Sequence, residues 1–158
     1  MSYIDLKKEI IFLFDQIKEE IEALPIPKKD SRQATAGIGR SIVFGLVKHR
    51  RKTGLHISAY TMQYPKLYRK LLLFGYVHNF KFTSIMINRN YRCKSHIDNN
   101  KPGTQSMIIG FGDYTGGELI YDNIKYNIKD NLLVFDGHKI HNVEPFEGNR
   151  TSITFFSK

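Results

Sequence analysis

The second half of the chain is divided into short apolar segments that are typical of strands. From residue 82 onward, runs rich in β-branched and aromatic residues alternate with glycine, asparagine and aspartate, which is the pattern of strands joined by tight turns. Seven strands are predicted, at residues 83–88, 94–97, 106–111, 118–121, 131–135, 138–143 and 151–156. Strands so closely spaced favour a small sandwich or jelly roll.

The first half of the chain has the periodicity of helices. Apolar residues recur at steps of three and four over residues 3–24, which predicts an amphipathic helix ending before Pro25. A second helix is predicted at residues 64–74, with Pro65 in its first turn. An exposed loop over residues 28–41 and a short strand over residues 41–47 lie between the two helices. The predicted fold class is therefore α+β, a jelly roll braced by N-terminal helices.

Length and composition indicate one domain without covalent cross-links. The chain has 158 residues, of which 41% are apolar, and a single cysteine, Cys93. It is long enough to bury a core and too short for two ordinary domains. One cysteine excludes an intramolecular disulfide and thiolate zinc sites. No apolar run is long enough for a membrane span, and no signal segment opens the chain. We therefore expect an intracellular protein, cytoplasmic or nuclear, with no membrane partner; oligomeric state is left open.

Positive charge is concentrated in the middle of the chain. The net charge is +9, but residues 27–104 alone carry 16 basic and 2 acidic side chains. Such a block suits a polyanion, because basic side chains that neutralise phosphates release counterions; the alternative is a solvated basic surface. The candidate nucleic-acid contacts are Arg40, Lys48, Arg50, Arg51 and Lys52, in a segment, residues 28–52, that is expected to border the active-site pocket.

A metal-ligand pattern lies within the strand region. His96 and Asp98 are separated by one residue, so on a strand both side chains leave the same face. His141 can supply a third ligand from another strand. Two imidazoles and one carboxylate leave about half of an octahedral coordination sphere free, as Fe(II) requires when it holds a chelating cosubstrate and O2.

Two residues on the last predicted strand could bind an anion beside that metal. Arg150 and Ser152 follow His141 and point in the same direction on a strand, so a guanidinium and a hydroxyl could grip a carboxylate. Alternatives remain for several of these residues. His138 competes with His141 as a ligand, Asp98 could instead pair with Arg92 or Lys94, and Arg150 could form a surface salt bridge.

The order of these motifs resembles the 2-oxoglutarate- and Fe(II)-dependent dioxygenases. That superfamily carries a His-x-Asp, a distal His and a following Arg-x-Ser on a double-stranded β-helix, here His96-Ile97-Asp98, His141 and Arg150-Thr151-Ser152. Within it, the chain most resembles the TET and J-binding-protein group of nucleobase oxidases. The segments that carry this closer resemblance are residues 110–119, 133–137, 141–145 and 148–152.

The resemblance implies a dioxygenase that uses Fe(II), 2-oxoglutarate and O2. His96, Asp98 and His141 would be the catalytic metal ligands, Arg150 and Ser152 would hold the distal carboxylate of 2-oxoglutarate, and Asn88 and Tyr91 would also contact this cosubstrate. Residues 82–158 would form the catalytic jelly roll, and residues 1–81 its helical support and a basic surface facing the substrate.

The expected substrate is the methyl group of 5-methylcytosine or thymine in nucleic acid, with DNA favoured over RNA. A prolyl or lysyl hydroxylase acting on peptides is the alternative enzyme, since it shares the metal chemistry. A catalytically inactive jelly-roll module that binds nucleic acid is the alternative outside enzymes.

Overall fold

The computed structural model describes residues 2–27, 38–49 and 51–158, apart from the side chain of residue 38. Three helices lie in this part of the chain: α1 (Tyr3–Glu22), α2 (Ala59–Gln63) and α3 (Pro65–Val77). Its eleven strands are β1 (Ile38–Lys48), β2 (Leu55–Ile57), β3 (Ser84–Arg92), β4 (Ser106–Phe111), β5 (Tyr114–Gly116), β6 (Leu119–Tyr121), β7 (Ile124–Tyr126), β8 (Leu133–Phe135), β9 (His141–Val143), β10 (Phe146–Gly148) and β11 (Thr151–Phe156). The expected α+β jelly-roll class is confirmed.

Six strands form the main sheet, in the order β2-β1-β3-β11-β4-β8, with every neighbouring pair antiparallel. The central strand β11 sets the register of the sheet. It places Ser152 opposite Asn88 of β3 and opposite Gly110 of β4. Because side chains alternate along strands, this register decides which residues share each face of the sheet.

One face of the main sheet packs against α1 and α3. Alternate residues of β3 and β11 on this face are fully buried: Ile85 and Ile87, and Ile153 and Phe155. They form one core with helix residues such as Ile17, Ile21, Leu71 and Phe74. Burial of large apolar side chains contributes roughly 1.5–3 kcal/mol each, so this layer holds the helices on the sheet.

Local signals explain where the helices begin. Ser2 caps α1, because its Oγ accepts the Asp5 backbone N–H at 3.1 Å while Asp5 Oδ2 accepts the Ser2 backbone N–H at 3.3 Å, the reciprocal arrangement of a capping box. Pro65 opens α3, where its missing N–H and fixed φ are favourable. An ion pair between Lys70 and Glu20, 2.9 Å apart, links α3 to α1.

The other face of the main sheet is covered by two small sheets, β7-β6-β9 and β10-β5. A second apolar cluster joins the layers, with Ile108, Leu119, Phe135 and Val143 among its buried members. The layers do not close completely, and a cavity of about 430 Å³ remains between them.

Several predicted boundaries differ from the structure. Residues 94–97 contain only an isolated bridge at His96, and the predicted strand at 138–143 is reduced to β9, since residues 137–139 form a turn. The short strands β2, β5, β7 and β10 were not predicted. Three residues offer too few alternating positions for a periodic signal.

Among the described residues, no helix is both long enough and apolar enough to cross a membrane.

Candidate active site

The cavity is lined by one face of the main sheet and by the β6–β9 layer. Alternate residues of β11 and of the flanking chain face it, from Arg150 through Ser152, Thr154 and Phe156 to Lys158. Asn88 and Met86 of β3 lie beside them. Among the described residues, Asp98 supplies the only side-chain carboxylate of the lining, whereas Lys48, Arg150 and Lys158 supply three cations. The cavity is therefore suited to an anionic ligand and a metal.

Backbone pairing brings the two predicted histidine ligands together. His96 and His141 form an antiparallel bridge, in which each backbone N–H donates to the carbonyl of the other at 3.1 and 3.0 Å. Directly opposed residues of such a pair have adjacent Cβ atoms, and the two imidazole rings here lie 4.3 Å apart between centroids. This bridge, rather than a continuous strand, positions His96.

Asp98 lies beside both histidines and completes a group of three candidate metal ligands. Its backbone N–H donates to the carbonyl of Gly137 at 2.8 Å. Its carboxylate lies between the rings, with Oδ1 3.2 Å from His96 Nε2 and Oδ2 3.4 Å from His141 Nε2. One ligand atom from each residue lies within 4.8 Å of the others. Ligands bound about 2 Å from one ion lie roughly 3–4 Å apart, so the spacing fits a common metal.

Outer hydrogen bonds fix which ring nitrogen of each histidine faces Asp98. Nδ1 of His96 lies 2.6 Å from the carbonyl of Lys94, and Nδ1 of His141 lies 2.8 Å from the carbonyl of Lys139. A carbonyl can only accept, so both Nδ1 atoms carry the proton and both Nε2 atoms are available as metal ligands. Two Nε2 lone pairs and a carboxylate that converge in this way need a cation between them.

The pKa shifts of Asp98 and His141 indicate the same demand for positive charge in the site. Burial favours the protonated carboxyl of Asp98, but hydrogen bonds and charge from His141 and His96 outweigh it and hold the pKa of Asp98 well below its ordinary value. Burial likewise favours a neutral His141, but its hydrogen bonds to Asp98 and to the Lys139 carbonyl raise its pKa. Both pKa shifts favour positive charge next to the Asp98 carboxylate.

His138 does not belong to the metal group. Its Nδ1 lies 2.8 Å from Asp136 Oδ1 and its Nε2 lies 3.1 Å from the carbonyl of Asn100. Acceptors on both sides, Asn100 first and then Asp136, raise the pKa of His138. The ring therefore ties the 136–138 turn to the segment that follows Asp98, and the alternative of His138 as a ligand is not what the structure shows.

Arg150 lines the cavity and is only 2% exposed. Its Nε donates to the carbonyl of Gly117 at 3.0 Å, and its guanidinium lies 5.8 Å from the ring centroids of both Tyr114 and Phe146. No salt bridge among the described residues involves Arg150, which removes the surface-pair alternative. A buried, unpaired cation is costly, so an anion is expected here.

The other predicted cosubstrate contacts line the same cavity as Arg150. Ser152 and Asn88 are buried, lie opposite each other on β11 and β3, and line the cavity. Asn88 Oδ1 has no hydrogen-bond partner. Tyr91 also lines the cavity and is 1% exposed. The structure thus brings Asn88, Tyr91, Arg150 and Ser152 together around one cavity.

The predicted nucleic-acid contacts lie in different parts of the structure. Lys48 lines the cavity, and Arg51 and Lys52 are exposed in the turn after β1. Arg50 and residues 28–37 lie outside the described residues. Arg40 lies apart from the cavity: its Nη1 donates to the carbonyl of Ile26 at 2.8 Å, on the face of β1 that packs against the helices. It supports the chain after α1, and its contact with nucleic acid stays a prediction.

Lys158 is a cavity residue that the sequence analysis missed. It continues the alternation of Arg150, Ser152, Thr154 and Phe156 along β11 and beyond its end. Extending the two-residue period past the predicted end of the strand would have found it.

Comparison with known proteins gives the fold. The chain is similar to the solved structure of NgTET1 in complex with 5mC DNA, with a TM-score of 0.57 and 20% identity over 97% of this chain and 67% of that chain. It is similar to OsALKBH1, with a TM-score of 0.58 and 10% identity over 92% of this chain and 91% of that chain. It is also similar to a Pseudomonas putida prolyl-4-hydroxylase, with a TM-score of 0.51 and 12% identity over 99% of this chain and 89% of that chain.

All three have the fold of the 2-oxoglutarate- and Fe(II)-dependent dioxygenases. This chain has the dioxygenase fold. No protein-family model and no curated protein matches the sequence. Within the dioxygenase fold, the convergence of His96, Asp98 and His141 beside Arg150 is the feature that bears on activity.

Proposed function

We propose that this chain is an Fe(II)- and 2-oxoglutarate-dependent dioxygenase that hydroxylates the methyl group of a pyrimidine base in nucleic acid. One observation carries the proposal: two Nε2 atoms and one carboxylate lie close enough to share one metal ion, and a buried guanidinium without a salt-bridge partner among the described residues lines the same cavity. We further propose that residues 1–158 act as a single catalytic unit, because the cavity lining extends from β1 to Lys158.

The residues present fit the metal and the cosubstrate. His96, Asp98 and His141 would hold Fe(II) and leave the remaining coordination positions for ligands. Arg150 and Ser152 would bind the distal carboxylate of 2-oxoglutarate, with Asn88 and Tyr91 beside it. Bound Fe(II) and 2-oxoglutarate supply the oxidising chemistry, in which O2, 2-oxoglutarate and a C–H group give succinate, CO2 and a C–OH group.

The protein's own contribution is orientation and the exclusion of water. The Lys94 and Lys139 carbonyls hold the imidazoles with Nε2 inward, and Phe135 packs against His141 with a ring separation of 5.3 Å. Apolar lining from Ile108, Leu119 and Val143 surrounds the site, which limits side reactions with water.

Charge around the cavity supports a polyanionic substrate. Lys48 and Lys158 lie in the cavity lining, Arg51 and Lys52 lie three and four residues after Lys48, and Asp98 is the one acidic residue among the described residues of the lining. A base in a duplex must leave the stack to reach a buried metal, which needs phosphate-binding groups around the opening. Ile97 lies in the lining and is 57% exposed, so it offers an apolar side chain to an extruded base.

The test is oxidation of defined substrates. Purified protein, Fe(II), ascorbate and 2-oxoglutarate are incubated with oligonucleotides that contain 5-methylcytosine or thymine, and nucleosides are analysed by mass spectrometry. We expect a mass gain of one oxygen on a pyrimidine and a matching amount of succinate. Asp98→Ala should reduce both by at least about 100-fold, because a lost ligand costs more than a lost outer-shell partner.

Asp113→Ala is the matched control, since Asp113 is an exposed aspartate outside the cavity lining, and it should retain full activity. Oxidation of proline or lysine in a peptide library, without nucleoside oxidation, would contradict a nucleic-acid substrate. It would indicate a peptidyl hydroxylase instead. Nucleic-acid binding without succinate formation would instead indicate an inactive binding module.

A further inference from the structure

A second groove lies on the surface beside the active-site cavity. It has a volume of about 840 Å³ and is formed where the end of α3, residues 79–83, residues 101–105 and Ser157 meet. Within the described chain, the groove and the cavity share no lining residue. The proposed metal and cosubstrate contacts therefore leave this groove without a function.

Aromatic side chains line part of the groove. The side chain of Tyr76 is 62% exposed, and its ring centroid lies 5.5 Å from that of Phe82. Phe82 in turn packs edge-on against the buried Phe155, with 5.1 Å between the centroids. Gly75 permits this packing, because a Cβ at that position would overlap the Phe82 ring. Tyr76 thus presents an exposed ring that rests on the core.

The groove is also positively charged. Lys81 and Lys101 line it and are exposed, and neither forms a salt bridge within the part of the chain that the structure describes. No acidic residue lies among the described lining residues, so the groove attracts anions. Cations beside an exposed aromatic ring are the combination that binds unpaired nucleotides, whose phosphates meet the cations and whose bases stack on the ring.

One crossing of the backbone separates the groove from the active-site cavity. The N–H of Lys101 donates to the carbonyl of Ser157 at 3.0 Å, and both residues line the groove. Their chain neighbours, Asn100 and Lys158, line the cavity. Asn99 is an exposed residue of the cavity lining, so the cavity opens to solvent on this side. A strand whose target base occupies the cavity can therefore continue directly into the groove.

We propose that this groove binds unpaired nucleotides that flank the target base, with one base stacked on Tyr76 and phosphates held by Lys81 and Lys101. The inference rests on the proposed function and deepens it, because it names single-stranded nucleic acid as the substrate class. Bases in a duplex are stacked on each other and cannot stack on Tyr76 at the same time. The groove thus favours a single strand over a duplex.

Oligonucleotide binding without turnover tests the groove separately from catalysis. A labelled single strand of about twelve nucleotides, within the usual site size of such grooves, and the matching duplex are titrated with Fe(II)-loaded protein in the absence of 2-oxoglutarate. Fluorescence anisotropy reports affinity. Tyr76→Ala should weaken single-strand binding about tenfold, as expected for the loss of one base–aromatic stack. Its effect on duplex binding should be smaller.

The phosphate contacts are tested by Lys81→Gln combined with Lys101→Gln. Each lost contact with a single strand should reduce the slope of log affinity against log salt concentration by about 0.7, so the pair should reduce it by about 1.4. Tyr76→Ala should leave this slope unchanged, because it removes no charge.

Matched variants separate these effects from general damage. Tyr76→Phe keeps the ring and should bind the single strand as the wild type does. Tyr3→Ala removes a tyrosine that is 80% exposed on α1, and Lys7→Gln combined with Lys8→Gln removes two exposed lysines from the same helix. Both should retain the single-strand affinity and the salt dependence of the wild type.

Wild-type single-strand affinity in both Tyr76→Ala and the Lys81–Lys101 variant would overturn the inference, while nucleoside oxidation would still support the proposed function. Equal losses of single-strand and duplex binding in Tyr76→Ala would also overturn it, because base stacking would not be the cause. Loss of peptide oxidation with unchanged oligonucleotide binding would assign the groove to a peptide. If the wild type binds no oligonucleotide, the nucleic-acid substrate is wrong, and this inference fails with it.

Discussion

Two glycines make room for the side chains that carry the proposed chemistry. A Cβ on Gly117 would lie 2.8 Å from Arg150 Cδ and 2.9 Å from its Nε. A Cβ on Gly137 would lie 2.7 Å from Asp98 Oδ2. Such contacts are too close for any real Cβ, so a larger residue would displace the guanidinium or the carboxylate.

Gly117→Ala is therefore expected to damage the anion site specifically. Gly117 has φ +70°, so the substitution also strains the backbone by roughly 1–2 kcal/mol. We expect 2-oxoglutarate affinity to fall at least about tenfold, because the charge-assisted bonds of Arg150 depend on its position. Titration of 2-oxoglutarate without oxygen into the Fe(II)-loaded protein, followed by the visible charge-transfer band, measures affinity, and urea unfolding measures the free energy of unfolding.

Gly103→Ala separates these two effects. Gly103 has φ +78°, but a Cβ there would meet nothing within 4 Å. Its variant should show a similar loss of stability and no change in 2-oxoglutarate affinity. Equal affinity losses in both variants would mean that backbone strain, and not contact with Arg150, is responsible.

At the scale of elements, strands β3 and β11 of the main sheet contribute side chains both to the core beneath the helices and to the cavity lining. On β3 and β11, Ile85, Ile87, Ile153 and Phe155 face the helices, while their alternate neighbours face the cavity. A slip of one residue in register would exchange the two sets. The apolar core on the helix side therefore also fixes the position of Asn88 and Ser152 on the cavity side.

The main sheet also caps the end of α1. The last turn of α1 has no basic residue, but Arg89 of β3 donates from Nη1 to the Leu24 carbonyl at 2.9 Å and from Nη2 to the Ile21 carbonyl. Positive charge at a helix C-terminus offsets its unpaired carbonyls. Arg89 thus links the helix to the strand that carries Asn88.

Arg89→Met should lower the free energy of unfolding by about 1–2 kcal/mol, because it removes these charged hydrogen bonds while keeping most of the apolar stem. Urea unfolding measures the change. Arg92→Met is the matched control, since Arg92 is an exposed residue at the end of the same strand, and its unfolding should match the wild type. Equal destabilisation of both variants would contradict a capping role for Arg89.

At the scale of the whole molecule, basic side chains lie on both sides of the main sheet. On the helix side, residues 1–26 have 3 basic and 6 acidic side chains, and the three basic residues of α3 lie beside them. The cavity side carries Lys48 and Lys158, with Arg51 and Lys52 in the turn after β1. The basic groups of the cavity side lie next to the candidate site, so a polyanionic substrate should approach from that side.

Charge reversal on each side tests this orientation. Arg51→Glu combined with Lys52→Glu should weaken binding of a labelled oligonucleotide about tenfold or more at low salt and reduce the dependence of affinity on salt. Fluorescence anisotropy measures both. Lys7→Glu combined with Lys8→Glu, on exposed positions of α1, changes the net charge equally and should have little effect. Equal weakening by both pairs would indicate a response to net charge without a defined binding side.

The sequence by itself determined the fold class and most of the candidate site. Helical and two-residue periods are local, so they predicted α1, α3, β4 and β11 without knowledge of partners. The order and spacing of His96, Asp98, His141, Arg150 and Ser152 predicted that they act together. The segments that carry the closer resemblance, residues 110–119 and 133–137, include Gly117 and Gly137, but the sequence did not show which side chains those glycines accommodate.

Only the tertiary structure decided which distant residues meet. Arg40 is bound to the chain after α1, His96 is positioned by a single bridge to His141, and Tyr114 enters the space above Gly110. Each of these contacts depends on strand register and on which face a side chain occupies, and both are set when the sheet packs against its helices. Composition could count the positive charges, but only packing could place Lys48 and Lys158 at the cavity and Arg40 and Arg89 behind the sheet.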